Sequence, residues 1–289
     1  MRRQLLTQAL LLALFAFSPI LCQVSVRSKL LVHGHRGARA RRPENTIPAF
    51  QYAIEQGVDA LEMDMAVTKD DVIVISHDPI LEPPVCTGPV ATAVIHQLTL
   101  AEVRQWDCGA VRNPRFPTQQ TIPGTRIPTL DDVFQLAGRG TFDYNIETKS
   151  FPDKPEYTPP PEEFARMVLA QVRKYTLEKR IILQSFDFRT LVAMRKLAPE
   201  IRLSALTESD PRDFPAIAAE AGKAEIVSPE FHLVTPAKVE AAHRAGLQVV
   251  PWTANTPADW DRLIQAKVDA IITDDPAELI AYLKKQGLR

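Results

Sequence analysis

The sequence predicts an α/β fold, a somewhat irregular (β/α)8 barrel of the TIM type with a small insertion after its third strand. Short β-branched or apolar runs alternate with amphipathic stretches along most of the chain, the signature of βα units around a parallel sheet. The 289 residues, 45% apolar and 24% charged, have an ordinary globular composition. That length suits either one barrel of about 250 residues or two average domains. Four polar clusters fall at the ends of predicted strands, where a parallel barrel gathers its chemistry.

Met1-Arg2-Arg3, the apolar run Leu5 to Phe17, and Ser18 to Cys22 follow the charged, hydrophobic and polar order of a secretory signal. Residues 1–22 are therefore expected to be removed, leaving 23–289 as one domain secreted to an oxidising space, a bacterial periplasm. Arg2-Arg3-Gln4-Leu5-Leu6 also resembles a twin-arginine motif, but the strongly apolar core favours the general secretory route. Bulky Leu21 disfavours a lipid anchor on Cys22. No later apolar run reaches about 18 residues, so no membrane span is expected. Cys86 and Cys108 remain, either as a structural disulfide or as two free buried thiols. Lys plus Arg number 34 against 35 for Asp plus Glu, a net charge of -1, which argues against a nucleic-acid partner.

Strands are expected at Leu30 to His35, Ala60 to Met65, Val72 to Ser76, Phe142 to Glu147, Ile181 to Ser185, Arg202 to Leu206, Ala224 to Ser228, Gln248 to Trp252 and Ala270 to Thr273. Nine runs compete for eight barrel positions. Between Asp64 and His77 there is no room for the crossover of a dozen or so residues that parallel neighbours need. Thr68-Lys69-Asp70-Asp71 reads instead as a hairpin turn that folds His77 back beside Asp64, so one of the nine lies outside the barrel or the barrel is irregular. Helices are expected at Thr46 to Gln56, Thr129 to Ala137, Pro161 to Tyr175, Phe188 to Leu197, Pro236 to Ala245, Pro257 to Gln265 and Pro276 to Lys285, several opening with Ser, Thr or Asn beside a proline. Residues 79–128, rich in proline and holding both remaining cysteines, Trp106 and Phe116, read as an ordered cap over one end of the barrel.

The densest polar cluster, His33-Gly34-His35-Arg36-Gly37, follows the first strand and leads to Pro43-Glu44-Asn45-Thr46 at a helix start. His35 and Arg36 are placed there for catalysis and phosphate contact. In Glu62-Met63-Asp64 the two-residue spacing puts both carboxylates on one strand face. Paired carboxylates repel unless a cation or proton sits between them, and a hard divalent ion, Mg²⁺ or Ca²⁺, suits such oxygen ligands. Ser76-His77-Asp78 is the third cluster. In the fourth, Asn145 to Lys149, Glu147 and Lys149 share a face and add a third carboxylate and a cation.

On these residues the chain resembles a glycerophosphodiester phosphodiesterase. The family pattern appears as His35-Arg36-Gly37, Glu44-Asn45-Thr46, Glu62-x-Asp64, His77-Asp78 and Glu147-x-Lys149. It continues in Ser185-Phe186-Asp187, Val250-Pro251-Trp252-Thr253-Ala254-Asn255 and Ile271-Ile272-Thr273-Asp274. The resemblance implies a TIM-type barrel, one divalent cation, an insertion after the His-Asp motif, and hydrolysis of small glycerophosphodiesters to an alcohol and glycerol 3-phosphate. Residue by residue it implies Glu62, Asp64 and Glu147 as metal ligands, His35 and His77 as general acid and base, and Arg36 and Lys149 as phosphate-binding cations. It also implies Trp252 as an aromatic at the substrate mouth. Glu44 and Asn45 are expected to fix the first helix's start and support Arg36, with metal or substrate contact by Glu44 also open.

His33 departs from the pattern. With His35 it makes a His-x-His pair resembling the zinc ligands of metal-dependent amidohydrolases, although later strands supply no further histidines. His96, His232 and His243 read as structural or solvated. The same residues also admit a phosphodiesterase acting on membrane lipid, or a non-catalytic barrel that only binds phosphodiesters. The motifs supply no head-group pocket, such as an aromatic cage on a barrel strand, so selectivity is expected on the glycerol side. A strong head-group preference would mean that the insertion reads it.

Overall fold

The computed structural model describes residues 29–289; the expected secretory segment 1–22, with Cys22, lies outside the described residues. The strands are β1 Leu31–Gly34, β2 Ala60–Val67, β3 Ile73–Ile75, β4 Ile80–Leu81, β5 Ala93–Val94, β6 Asp143–Thr148, β7 Ile181–Ser185, β8 Arg202–Thr207, β9 Ile226–Pro229, β10 Gln248–Val249 and β11 Ala270–Thr273. Eight of them lie in the order β10-β9-β8-β7-β6-β2-β1-β11, each neighbouring pair parallel. The ring closes between β10 and β11 through Asp269 N–H to Val249 O (3.0 Å), Ile272 N–H to Pro251 O (3.0 Å) and Ala254 N–H to Ile272 O (3.2 Å). The run expected as Gln248 to Trp252 is shorter because Pro251 has no N–H to give the ladder.

The ninth run, β3, stands outside the ring. It pairs antiparallel with β2, Met65 opposite Ile75 and Val67 opposite Ile73. At the turn Thr68 Oγ1 donates to Asp70 Oδ1 (2.6 Å), and Asp71 adopts φ 59°, a left-handed geometry that Asp tolerates in turns. The hairpin brings the chain back over β2, with Ser76 N–H donating to Asp64 O (2.9 Å).

Helices α1 Ile47–Gln56, α2 Leu100–Val103, α3 Leu130–Phe134, α4 Pro161–Lys174, α5 Phe188–Leu197, α6 Phe214–Glu220, α7 Pro236–Arg244, α8 Pro257–Ala266 and α9 Pro276–Lys285 complete the domain. Thr46, rather than Glu44 or Asn45, caps α1: its hydroxyl accepts from Ala49 N–H and donates to Pro43 O, which leaves Glu44 and Asn45 for the site. The helix expected from Thr129 to Ala137 tightens after Phe134 into a 3₁₀ segment, Gln135–Arg139. α6 was not expected from the sequence; Asp210-Pro211 and Pro215 hide a short Ala-rich turn. No helix among the described residues is long and apolar enough to cross a membrane.

Alternation along β2 shows how the sequence builds wall and site together. Leu61, Met63 and Met65 join the main core with Phe50, Tyr144, Phe164, Leu183 and Trp260, while Glu62 and Asp64 take the opposite face, into the barrel. The barrel floor is apolar, formed by Ile182, Ile226, Val250, Ala270 and Ile272. Segment 79–128 folds on the back of the hairpin. Its own small core unites Leu81, Ile95, Val103 and Trp106 with Ala66 and Val74, Cys86 and Cys108 are joined as a disulfide, and a Cβ on Gly88 would meet the Trp106 ring at 2.3 Å. Gln119 Nε2 ties the segment to the loop after β1 by donating to Arg39 O (2.7 Å).

Candidate active site

The carboxyl ends of β1, β2, β6 and β11 and the end of the hairpin converge. After β1 the chain turns sharply. Arg36 adopts φ 49° and Gly37 φ 82°, and a Cβ on Gly34 would lie 2.2 Å from Gly37 O, so only glycine fits at 34. The turn aims Arg36 N–H at Glu62 Oε2 (2.8 Å) and lays the guanidinium between Glu44 Oε1 (2.5 Å) and Asp64 Oδ2 (3.5 Å). Arg36 Nε, the guanidinium atom nearest Asp64, is buried and makes no hydrogen bond.

Oxygens of Glu62, Asp64 and Glu147, all buried, lie within 4.8 Å of one another. Lys149 Nζ stands 3.0 Å from Glu147 Oε1 and 3.8 Å from Asp64 Oδ1. Burial and the neighbouring carboxylates push Glu62 well above the usual range, and burial likewise raises Glu147. Burial works on Asp64 in the same sense, but His77, Arg36 and Lys149 together with the Asn45 hydrogen bond hold it well below the usual range. Four carboxylates, counting Glu44, thus face two cations. The residual negative charge and the all-oxygen donor set fit a hard divalent cation held by Glu62, Asp64 and Glu147.

His35 and His77 flank this group differently. Buried His35 places Nδ1 2.6 Å from Asp274 Oδ1, with Nε2 3.9 Å from Glu62 Oε2. Asp274 also accepts from Arg39 Nε (2.5 Å) and Asn255 Nδ2 (2.8 Å); against the effect of burial, His35 and Arg39 hold it well below the usual carboxylate range. Burial, helped by Arg39, pushes His35 down to about 3 despite Asp274. An ionised Asp274 can only accept, so Nδ1 carries the proton and the Nε2 lone pair faces the site. His77 is about a third exposed and pairs Nδ1 with Asp78 Oδ1 (2.8 Å); that hydrogen bond holds Asp78 below the usual range.

Of the remaining expected residues, Glu44 contacts Arg36 and stands outside the three-carboxylate group, whereas Asn45 Nδ2 donates to Asp64 Oδ2 (2.9 Å). Trp252, half-buried after β10, donates Nε1–H to Ser228 O (2.9 Å) and meets the exposed Phe186 edge-on at 5.5 Å. His33 lies one layer deeper, 3.4 Å from Asn145 Nδ2, and burial pushes it down to about 4. It does not join the carboxylates, so no His-x-His metal pair forms. His96 meets Val67 O, His232 Glu230 and His243 Asp269, all away from this centre. Sequence reasoning gave no role to Asp274, Arg39 or Asn255, nor to Gln184, whose Nε2 donates to Glu62 Oε1 (2.8 Å) and whose Oε1 accepts from Asn145 (3.0 Å). Asp274 and Asn255 carried a signal, since each ends a stretch of the family pattern, but no role came with it.

A sequence profile of the glycerophosphoryl diester phosphodiesterase family matches residues 35–278. A glycerophosphodiester phosphodiesterase of Caldanaerobacter subterraneus is 34% identical over 263 residues, covering 90% of this chain and all of that protein. A crystal structure from Silicibacter pomeroyi has a TM-score of 0.83 at 34% identity, covering 90% of this chain and 95% of the other. An Oleispira antarctica phosphodiesterase, solved with its product sn-glycerol 3-phosphate, shares the fold with a TM-score of 0.75 at 22% identity over 89% of this chain and 97% of the other.

Proposed function

We propose that this chain, which belongs to the glycerophosphoryl diester phosphodiesterase family, hydrolyses glycerophosphodiesters to an alcohol and sn-glycerol 3-phosphate. The observation that carries the reading is a buried histidine, its Nδ1 held by Asp274, on one side of a buried carboxylate triad, with a second, more exposed histidine at the hairpin end. A divalent cation, Ca²⁺ or Mg²⁺, held by Glu62, Asp64 and Glu147 would draw charge from the phosphoryl oxygens. Arg36 and Lys149 bind the same oxygens, so the charge spread over them in the transition state meets fixed cations.

In the first half of the reaction, His35 Nε2 takes the proton from the glycerol hydroxyl next to the phosphate, and that oxygen attacks phosphorus. Proximity favours it over water by several kcal/mol, of the about 7–11 that good orientation can contribute. His77 gives its proton to the leaving alkoxide, and the alcohol departs. Water then opens the cyclic phosphate with the roles reversed: His77 takes the water's proton and His35 returns its own to the glycerol oxygen. Each imidazole ends as it began. Glu44 and Asn45 hold Arg36 and Asp64 in place, Trp252 borders the glycerol side, and residues 79–128 cap the hairpin side. The signal-like order of residues 1–22 supports a periplasmic location for the enzyme.

The test is release of sn-glycerol 3-phosphate from glycerophosphocholine, before and after EDTA and on readdition of Ca²⁺ or Mg²⁺. Metal-dependent release is expected. No release with either ion would overturn the reading, and undiminished release from rigorously metal-free protein would overturn the role of the triad.

A further inference from the structure

Beside His77 lies a cleft of about 400 Å³ bordered by Asp78, Pro79, Ile80, Glu82 and the loop Ser150 to Tyr157, a size that holds a small organic group. Two chain segments that are remote in sequence make it: the start of the 79–128 segment and the loop between β6 and α4. Of their cleft-lining residues only Asp78 belongs to a family motif, which is why the motifs alone supply no head-group pocket.

The chemistry of its wall is specific. Phe151 and Tyr157 are half-buried and meet edge to face, ring centroids 5.9 Å apart. The Tyr157 ring already attracts an ammonium, with Lys154 Nζ 5.2 Å from its centroid. Three carboxylates, Asp78, Glu82 and Asp153, line the same cleft against the single charge of Lys154. An aromatic face next to excess negative charge favours a cation, and a methylated ammonium most of all, because it loses little hydration on leaving water. Position completes the argument. If His77 protonates the leaving oxygen, the group attached to that oxygen lies on the His77 side of the phosphate, where Asp78 forms one wall of the cleft and also holds His77 Nδ1.

We infer that the cleft between Asp78–Glu82 and Phe151–Tyr157 is a head-group subsite for cationic amino alcohols, so that choline and ethanolamine diesters are preferred over uncharged ones. The inference rests on the phosphodiesterase reading for its catalytic consequence, but the cleft's affinity for a cation can be measured without turnover.

The experiment compares glycerophosphocholine, glycerophosphoethanolamine and glycerophosphoglycerol in the metal-loaded enzyme, in wild type, Tyr157→Leu and the exposed double variant Glu82→Gln/Asp153→Asn. In wild type the two cationic substrates are expected to lead in kcat/KM by about tenfold, carried by KM, the scale of a cation–π contact reinforced by nearby carboxylates. The lead should shrink towards unity in both variants and on raising salt. In parallel, saturation-transfer NMR with choline chloride on the full chain should show contact with the N-methyl protons in wild type and lose it in both variants. Equal kcat/KM for the three diesters, or a preference unchanged in the variants, overturns the subsite while leaving the phosphodiesterase reading intact. Should none of the three be hydrolysed, that reading falls, and the choline signal alone upholds or overturns the cleft.

Discussion

His33→Gln tests whether the barrel buries a neutral imidazole beneath its site. His33 is only 3% exposed, and burial, with the charge of Arg202 adding to it and Asp59 opposing, sets its pKa at about 4. The unfolded chain returns it to about 6.5. The folded value is the lower one, so the unfolded state binds the extra proton, and stability is lost as the pH falls from 6.5 towards 4. At about pH 5 the loss from this residue is about 2 kcal/mol, against almost nothing at about pH 7. The figure is insensitive to the folded pKa, since any value near 4 or below leaves the native imidazole almost wholly neutral at pH 5. His35 contributes in the same sense but is present in both proteins and cancels. Urea unfolding of wild type and His33→Gln at about pH 7 and about pH 5, with metal content fixed, should show the variant gaining on wild type by about 2 kcal/mol at the lower pH. A stability difference that is the same at both pH values refutes the burial argument. The kcat of the variant should stay within about tenfold of wild type, because His33 supplies no proton to the reaction. Loss as deep as that of His35→Ala, with zinc restoring metal-free enzyme, would revive the amidohydrolase reading.

Glu62→Gln, Asp64→Asn and Glu147→Gln should each weaken divalent-ion binding and remove most activity; calorimetric metal titration beside turnover checks both, and a variant that keeps wild-type affinity excludes that residue as a ligand. His35→Ala and His77→Ala should each lower kcat by about 10²-fold or more with native circular dichroism retained. Asp274→Asn removes the fixed acceptor of His35 Nδ1, so kcat should fall by about 10²-fold with KM little changed; an unaltered kcat would show that the imidazole holds its tautomer without Asp274. Cys86→Ser/Cys108→Ser opens a loop with a sequence separation of 22 and should cost about 3 kcal/mol in urea unfolding, and equal stability would mean that the Trp106 core alone holds the segment.

The barrel was legible because its strands are short runs of β-branched or apolar residues, in places alternating with polar ones as in β2, and several helices open on Thr or Asp beside proline, as at Thr235-Pro236 and Asp275-Pro276. The hairpin was legible for a geometric reason: no chain can cross over between Asp64 and His77, so β3 had to return antiparallel. Where local signals conflict, the sequence misleads. Pro251 sits in what reads as a strand, Pro215 begins what reads as a loop, and α3 tightens into a 3₁₀ segment at Gln135. At Pro251 the missing N–H settled the outcome, whereas α6 was settled by packing, with Phe214, Ile217 and Ala218 buried.

In the site, legibility follows the spacing of the residues along one element. Glu62 and Asp64, or Glu147 and Lys149, declare a shared face because two residues along a strand always return to it. The groups that set how these side chains behave come from elsewhere in the chain. Asp274 reaches His35 across 239 positions and Gln184 reaches Glu62 across 122, and no periodicity links them. Yet these contacts decide the chemistry. Without Asp274 the His35 ring could present either nitrogen, and without Gln184 the Glu62 carboxylate would be free to turn both oxygens towards Arg36. A barrel makes such distant partners neighbours, since each strand end lies beside two others whatever their order in the chain. The carboxylates of a site of this kind can therefore be read from short motifs, whereas the proton positions of its histidines have to be read from the closed ring.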